Sequence, residues 1–224
     1  MNPPELEILH ETDHYCVLNK PSGYVVHRTA GAESAPVVLQ TLRDQLGKKV
    51  FPVHRLDRST SGNLIMAFNS LITAKLQSAI SEKSALKKYL LLCRGHLNPT
   101  EGQFDRPLSD EKKIKRNALT RYKVLRPFKE VSWVEACIET GRRHQIRRHF
   151  EYEMHHLVGD VNYGKGWLNK KFKDNFDLHR IFLHCSALQF VCPVENKMIH
   201  VHCELPDELM SVIEQLESTE LPTP

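Results

Sequence analysis

The sequence predicts an α+β fold, with a central mixed, mostly antiparallel sheet and flanking helices. Three observations carry this expectation. Short strand-like runs and segments of helical periodicity are mixed without the regular strand–helix–strand rhythm of a parallel sheet. Several neighbouring strand candidates are joined by short polar turns, as in hairpins. The chain has 224 residues at 41% apolar composition, enough for one sizeable core.

In order, Leu6–Leu9 and Tyr15–Asn19 are expected strands joined at Thr12-Asp13, and Lys20-Pro21-Ser22-Gly23 is a turn before extended Tyr24–His27. Val38, Leu42 and Leu46 recur at helical spacing ahead of Gly47, which predicts a helix over Val37–Leu46. Val50–Val53 and Leu64–Phe68 are expected strands. Asn69 or Ser70 caps a helix to about Glu82, and Lys87–Arg94 is a Leu/Tyr-rich strand. Residues 98–116 are turn-rich and basic, expected as an exposed loop or hairpin. Ala118–Leu125 and Ser132–Glu139 pair as strands, Gly141 opens a basic helix to about Met154, and Gly159–Phe176 reads as a loop. Ile181–Val191 and Met198–Glu204 form a hairpin, and Pro206-Asp207 opens a terminal helix.

Net charge is only +4, but the basic residues are clustered: Arg142, Arg143, Arg147 and Arg148, and separately Lys112, Lys113, Lys115, Arg116 and Arg121. Such patches favour a polyanion; a solvated charged face is the plain alternative for the lysine-rich run. The six cysteines form no Cys-x-x-Cys pair and sit in apolar stretches, as expected of a reduced cytoplasmic protein. The amino-terminal run is acidic, with no signal core, and the carboxy-terminus has no lipidation motif. No apolar run approaches the roughly 20 residues of a membrane helix, so no membrane partner is expected.

The strongest chemical signal is His54-Arg55-Leu56-Asp57-Arg58-Ser59-Thr60-Ser61-Gly62, on a connection between two strands. A carboxylate between guanidinium groups, followed by small donors, suits a nucleophile, a base or an anion relay. A second signal is Thr140-Gly141-Arg142-Arg143-His144-Gln145-Ile146-Arg147-Arg148-His149. A glycine turn before a basic helix can bind anions, with Arg143 and Arg147 one turn apart. A surface basic helix or calmodulin-type target would have the same composition. Tyr89, at the start of a strand, is an ordinary core residue when taken alone.

Weaker patterns have plainer explanations. His10-Glu11-Thr12-Asp13-His14 matches the zinc-protease pattern, but the flanks read as strands and Thr-Asp as a turn, where the two histidines share no helical face. His184, Cys185, Cys192, His200, His202 and Cys203 lack paired zinc-ligand spacing. Gly159–Gly166 lacks the Lys-Ser/Thr ending of a phosphate loop.

Together the stronger runs resemble the RluA-type family of RNA pseudouridine synthases. The resemblance rests on His54-Arg55-Leu56-Asp57 with Thr60-Ser61-Gly62, Lys88-Tyr89, and Thr140–Arg147. It extends to Leu157-Val158-Gly159-Asp160, Arg180–His184, and Asn19–Gly23 with Val26-His27. It implies a single catalytic domain over residues 1–224, with an active-site cleft across the sheet and no N-terminal S4-type RNA-binding domain. It implies isomerisation of uridine to pseudouridine in RNA without cofactor or metal. Asp57 would be the nucleophile, Tyr89 would pack on the base, and Arg147 would pair with Asp57. Arg55 would support a flipped-out nucleotide, and Leu183 would form part of the pocket wall. His54, Arg58, Arg143 and Arg148 are further RNA-binding candidates.

Within the family, His27-Arg28, Gln40–Gln45 and Arg147-Arg148-His149 resemble a tRNA-directed branch acting on the acceptor/T-arm region. Ribosomal RNA is the alternative partner, and a monomer is favoured. Met154-His155-His156-Leu157 departs from the usual His-Pro, and the stretch between residues 110 and 132 is short. A non-catalytic RNA-binding protein is disfavoured by the presence of Asp57, Tyr89 and Arg147. A glycosidase would require a second partnered carboxylate.

Overall fold

The computed structural model describes residues 4–28 and 31–220. Parts of both termini read for targeting signals, Met1–Pro3 and Leu221–Pro224, lie outside the described residues. In chain order the elements are β1 (Ile8–Glu11), β2 (Tyr15–Lys20), α1 (Val38–Leu46), β3 (Phe51–Pro52), β4 (Ser61–Ala67), α2 (Ser70–Ala79), β5 (Leu86–Arg94), β6 (Glu101–Phe104), β7 (Leu108–Ser109), β8 (Lys115–Arg116), β9 (Thr120–Pro127), β10 (Val131–Ile138), α3 (Gln145–Tyr152), α4 (Gly166–Phe176), β11 (Leu183–Cys192), β12 (Lys197–His202) and α5 (Asp207–Glu220). The result is an α+β fold whose strand ladders are mostly antiparallel. The chain, expected as one domain, divides into two compact units: Met1–Lys87 with Cys185–Glu204, and Lys88–His184 with Leu205–Pro224.

In the first unit the strand order is β1-β2-β4-β11, with β12 on β11 and β3 on β4. β2 and β4 run antiparallel with Tyr15 opposite Ala67 and Lys20 opposite Gly62. Every residue of β4 is buried, so both its faces are covered. That is why its second half, Leu64–Ala67, is a continuous apolar run without inside–outside alternation. α2 packs against β3 and β4. Its N-terminus is set by Asn69, whose side chain accepts the Ile72 N–H at 2.9 Å.

In the second unit the order is β5-β10-β9-β6, beside the small β7–β8 hairpin. β9 and β10 pair antiparallel from Thr120–Ile138 to Pro127–Ser132. The core joins Leu92, Phe128 and Phe182 to Leu168 and Phe172 of α4 and Leu209 and Ile213 of α5.

Four expectations need correction. Residues 166–176 are helical, not loop. Leu168, Phe172 and Phe176 recur every fourth residue toward the core, and the surrounding Gly, Lys and Asn hid that stripe. The basic helix starts at Gln145, not Gly141, because His144 takes a left-handed conformation (φ 53°) that breaks the helical path. Arg143 therefore precedes the helix and does not sit one turn above Arg147 on it. Ser61 and Gly62 belong to β4 and not to the connection before it. Tyr24–His27 forms only a single bridge, Val25 to Val37.

Candidate active site

The loop bearing Asp57 connects β3 to β4 and is clasped by the turn that follows β2. Lys20 is fully buried, and its ammonium donates to the carbonyls of Pro21 (2.8 Å), Tyr24 (2.9 Å) and Arg58 (3.3 Å). Gly23 N–H donates to the Arg58 carbonyl at 2.8 Å, and the Arg58 side chain returns a bond to the Gly23 carbonyl. Ser22 Oγ donates to the Ser59 carbonyl at 3.0 Å. Thr60 N–H closes the loop onto the Asp57 carbonyl at 3.1 Å. A buried ammonium is tolerated only where its donors are matched, and here they are matched by the backbone it organises.

The two ends of this loop are fixed separately. His54 Nε2 accepts the Ile65 N–H at 3.1 Å, so the neutral ring carries its proton on Nδ1. Burial of the ring, reinforced by the positive charge of Lys87, pushes its pKa down to about 4. Lys87 is itself shifted down by burial, and its ammonium donates to the Ile80 carbonyl at 2.9 Å. At the other end, a Cβ on Gly62 would stand 2.3 Å from the Cys185 carbonyl oxygen, at a backbone φ of 109°. Only glycine lets β4 approach so closely there. Between these anchors Asp57 is half-buried, while Arg55 and Arg58 are exposed.

In the second unit Arg147 and Asp160 form a two-pronged pair, Nε to Oδ2 at 2.7 Å and Nη2 to Oδ1 at 2.8 Å. Both side chains are almost wholly enclosed. Burial raises the Asp160 pKa, but the Arg147 bonds and charge, with the N–H groups of Tyr163 and Asn162, outweigh it and the net shift is downward. Asn169 of α4 ties this corner together, accepting from Gly159 N–H and donating to the Asp160 carbonyl, both at 2.8 Å. Tyr163 lies with its ring 5.0 Å from the Arg147 guanidinium carbon.

The other basic residues of this region grip the neighbouring backbone. Arg148 donates to the Ser109 carbonyl, Arg142 to the Asn117 carbonyl, and Arg143 pairs with Glu111. His149 bridges the Arg106 carbonyl and Thr120 Oγ1. Because His149 Nε2 meets a carbonyl, it donates there and Nδ1 accepts from the hydroxyl. The basic stretch 105–117 is thereby held as an ordered hairpin.

Asp57, His54, Arg55 and Arg58 thus share one loop of the first unit, while Tyr89, Arg143, Arg147, Arg148 and Leu183 belong to the second. Tyr89 and Leu183 are buried on β5 and β11. Sequence reasoning gave no part to Asp160, Lys20, Gln145 or Asn169. Asp160, Lys20 and Gln145 stood within the recognised runs, and Gln145 is buried and bonds Thr140, Arg142, Leu119 and Thr120. Asn169 had no signal beyond its polarity.

Among the described residues no group of His, Cys, Asp or Glu converges as metal ligands would. His10 lies on β1 and Thr12-Asp13 in a turn, with Thr12 Oγ1 accepting from the backbone of His14 and Tyr15. None of the six cysteines forms a disulfide, and burial pushes the Cys16 and Cys203 thiols up to about 12. Such thiols are not nucleophiles at neutral pH. Among the described residues no helix is long and apolar enough to cross a membrane.

Comparison with known proteins converges on one family. Residues 14–152 match RNA pseudouridylate synthase. The chain is 35% identical to tRNA pseudouridine synthase C of Vibrio parahaemolyticus across 97% of each chain. It is 33% identical to the Haemophilus influenzae protein of the same name, covering 94% of this chain and 97% of that one. Among solved structures, human RNA pseudouridylate synthase domain containing 4 superposes with a TM-score of 0.76 at 24% identity, covering 94% and 93% of the two chains. Human RNA pseudouridylate synthase domain containing 1 gives 0.74 at 23%, covering 100% and 99%. At these identities the two structures speak to the fold.

Proposed function

The chain belongs to the RNA pseudouridylate synthase family and is an RNA pseudouridine synthase, and from that premise we propose that its substrate is tRNA, modified in the acceptor/T-arm region with Asp57 as nucleophile. The tRNA assignment is supported by relatives named for tRNA that match almost the whole chain. The observation that carries the nucleophile is the clasped loop. Lys20, Ser22 and Gly23 hold the carbonyls of Arg58 and Ser59, and Thr60 closes on Asp57, so the carboxylate is presented from a preordered turn.

A uridine must leave its stack before any side chain reaches it, at a cost of a few kcal/mol. Arg55 supports the vacated position, and Arg58, Arg143 and Arg148 supply the phosphate contacts that offset this cost, while His54, neutral and bonded to the Ile65 N–H, fixes the loop that carries Arg55 and Arg58. Asp57 attacks either the ribose C1′ or the uracil C6. By either route the N1–C1′ bond breaks, the uracil turns, a C5–C1′ bond forms, and the C5 proton leaves while N1 gains one. Tyr89 packs on the base and assists loss of the C5 proton. Arg147 pairs with Asp57, and Leu183 contributes an apolar wall that keeps water from the turning base. Every step here is assigned to side chains of this chain and to the substrate itself, so the proposed route calls on no cofactor. The absence of disulfides among the six cysteines supports a cytoplasmic setting, and we expect a monomer acting as a single catalytic domain.

The test is pseudouridine mapping of tRNA and ribosomal RNA from cells with the gene, without it, and complemented with Asp57→Ala. A tRNA site that disappears on deletion and returns only with the wild-type gene is the expected result. Loss confined to ribosomal RNA would overturn the substrate, and a site restored by Asp57→Ala would overturn the nucleophile.

A further inference from the structure

The segment between Asp160 and α4 is firmly held yet leaves its bulkiest apolar groups in solvent. Asp160 Oδ1 accepts the N–H groups of Asn162 and Tyr163. The Tyr163 carbonyl accepts from His156 Nδ1 at 2.7 Å, and its hydroxyl meets His144 Nδ1 at 3.1 Å. Asn169 secures the first turn of α4 to Gly159 and Asp160. On this fixed backbone Trp167 is 57% exposed and Val161 87%. An indole is usually drawn into a core, so one left outside on an ordered helix is not explained by packing.

Its surroundings indicate what it meets. From Val161 to Lys173 the chain has four lysines, Lys165, Lys170, Lys171 and Lys173, and no acidic residue. Lys170 and Lys171 follow Trp167 by three and four positions, on its side of the helix. Their partners, Asp174 and Glu130, are half-exposed, and such surface pairs are readily exchanged for phosphate. An aromatic plane among lysines suits a nucleic-acid strand whose bases stack while its backbone meets the cations.

We propose that Trp167 is a stacking platform for an unpaired base of the RNA substrate, with Lys165 and Lys170 taking adjacent phosphates. This rests on the tRNA reading above and adds a binding residue outside the reaction centre. Stacking is indifferent to base identity, so Trp167 strengthens binding without reading sequence.

The experiment follows tRNA binding by tryptophan fluorescence in a Trp133→Phe protein, where Trp167 is the only indole, using bulk bacterial tRNA. Saturable quenching is expected. Trp167→Ala should weaken tRNA affinity by about tenfold with an unchanged salt slope, because no charge is lost. Trp167→Phe should recover most of that loss. No quenching, or Trp167→Ala binding as tightly as wild type while wild type still forms pseudouridine, would overturn this inference alone. Failure of the wild-type protein to bind tRNA would overturn both it and the substrate assignment.

Discussion

Arg147 and Asp160 meet through two parallel hydrogen bonds of 2.7 and 2.8 Å, with both side chains shut away from water. Removing one partner strands the other's charge in the interior. Asp160→Ala is expected to lose about 3–5 kcal/mol of stability, measured by urea unfolding. An Arg147→Met/Asp160→Leu double variant should be less destabilised than either single variant, because no buried charge remains, yet form no pseudouridine. A double variant as unstable as the sum of the two singles would contradict the pairing.

Lys20 is the keystone of the Asp57 loop. Lys20→Met leaves three carbonyls without their shared donor, and a loss of about 2–4 kcal/mol is expected. The rate of pseudouridine formation should fall more than tRNA affinity does, since the loop and not the RNA surface is disturbed. Comparing kcat with Kd in the same preparations separates the two.

Gly62 and Gly159 have no room for a methyl group. The added Cβ would lie 2.3 Å from the Cys185 carbonyl oxygen in one case and 2.0 Å from the Arg180 carbonyl oxygen in the other, both at positive φ. Gly62→Ala and Gly159→Ala should each cost at least about 3 kcal/mol. Thermal unfolding midpoints compared with Leu71→Ala, at an exposed site on α2, check this.

His54 makes stability depend on pH. Its pKa of about 4 in the folded protein lies below the usual value of 6.5, so the unfolded chain binds the proton more readily. The stabilisation is fully present above pH 6.5 and is lost as pH falls toward 4, about 3 kcal/mol. Urea unfolding at pH 7 and pH 4.5 should show a smaller pH dependence in His54→Gln than in wild type.

RNA binding should be strongly salt-dependent. Arg55 and Arg58 are exposed beside Asp57, and Arg55→Gln/Arg58→Gln should flatten the plot of log affinity against log salt by up to about two phosphate contacts. An unchanged slope would remove these arginines from the RNA contact.

Strand pairs and most helices were legible because their signals are local. Apolar runs mark β4 and β11, and Asn69 marks the start of α2. What was not legible depends on groups distant in sequence. α4 looked like a loop because its lysines and glycines outweigh three core positions, and only packing against α5 makes those positions decisive. The basic run was read as an RNA-facing helix, but Arg142, Arg148 and His149 spend hydrogen bonds on carbonyls of residues 106–117. Nothing near residue 145 announces that. The partner that Asp160 gives Arg147 was equally silent, because an acid after Val-Gly states no address for its charge.

The first unit is discontinuous, and this bears on how the protein is made. β4 is buried along its whole length and lies between β2 and β11. β4 ends at Ala67, but β11 starts only at Leu183. At translation rates of about 5–20 residues per second, roughly 6–23 s separate their emergence from the ribosome. During that time an apolar strand edge, Leu64-Ile65-Met66, waits for its neighbour, the kind of edge that invites pairing with another chain. Chaperone contact with the nascent chain should therefore persist until the last fifth of the message is being read, and a chain arrested at Phe176 should aggregate although its Asp57 loop is already complete.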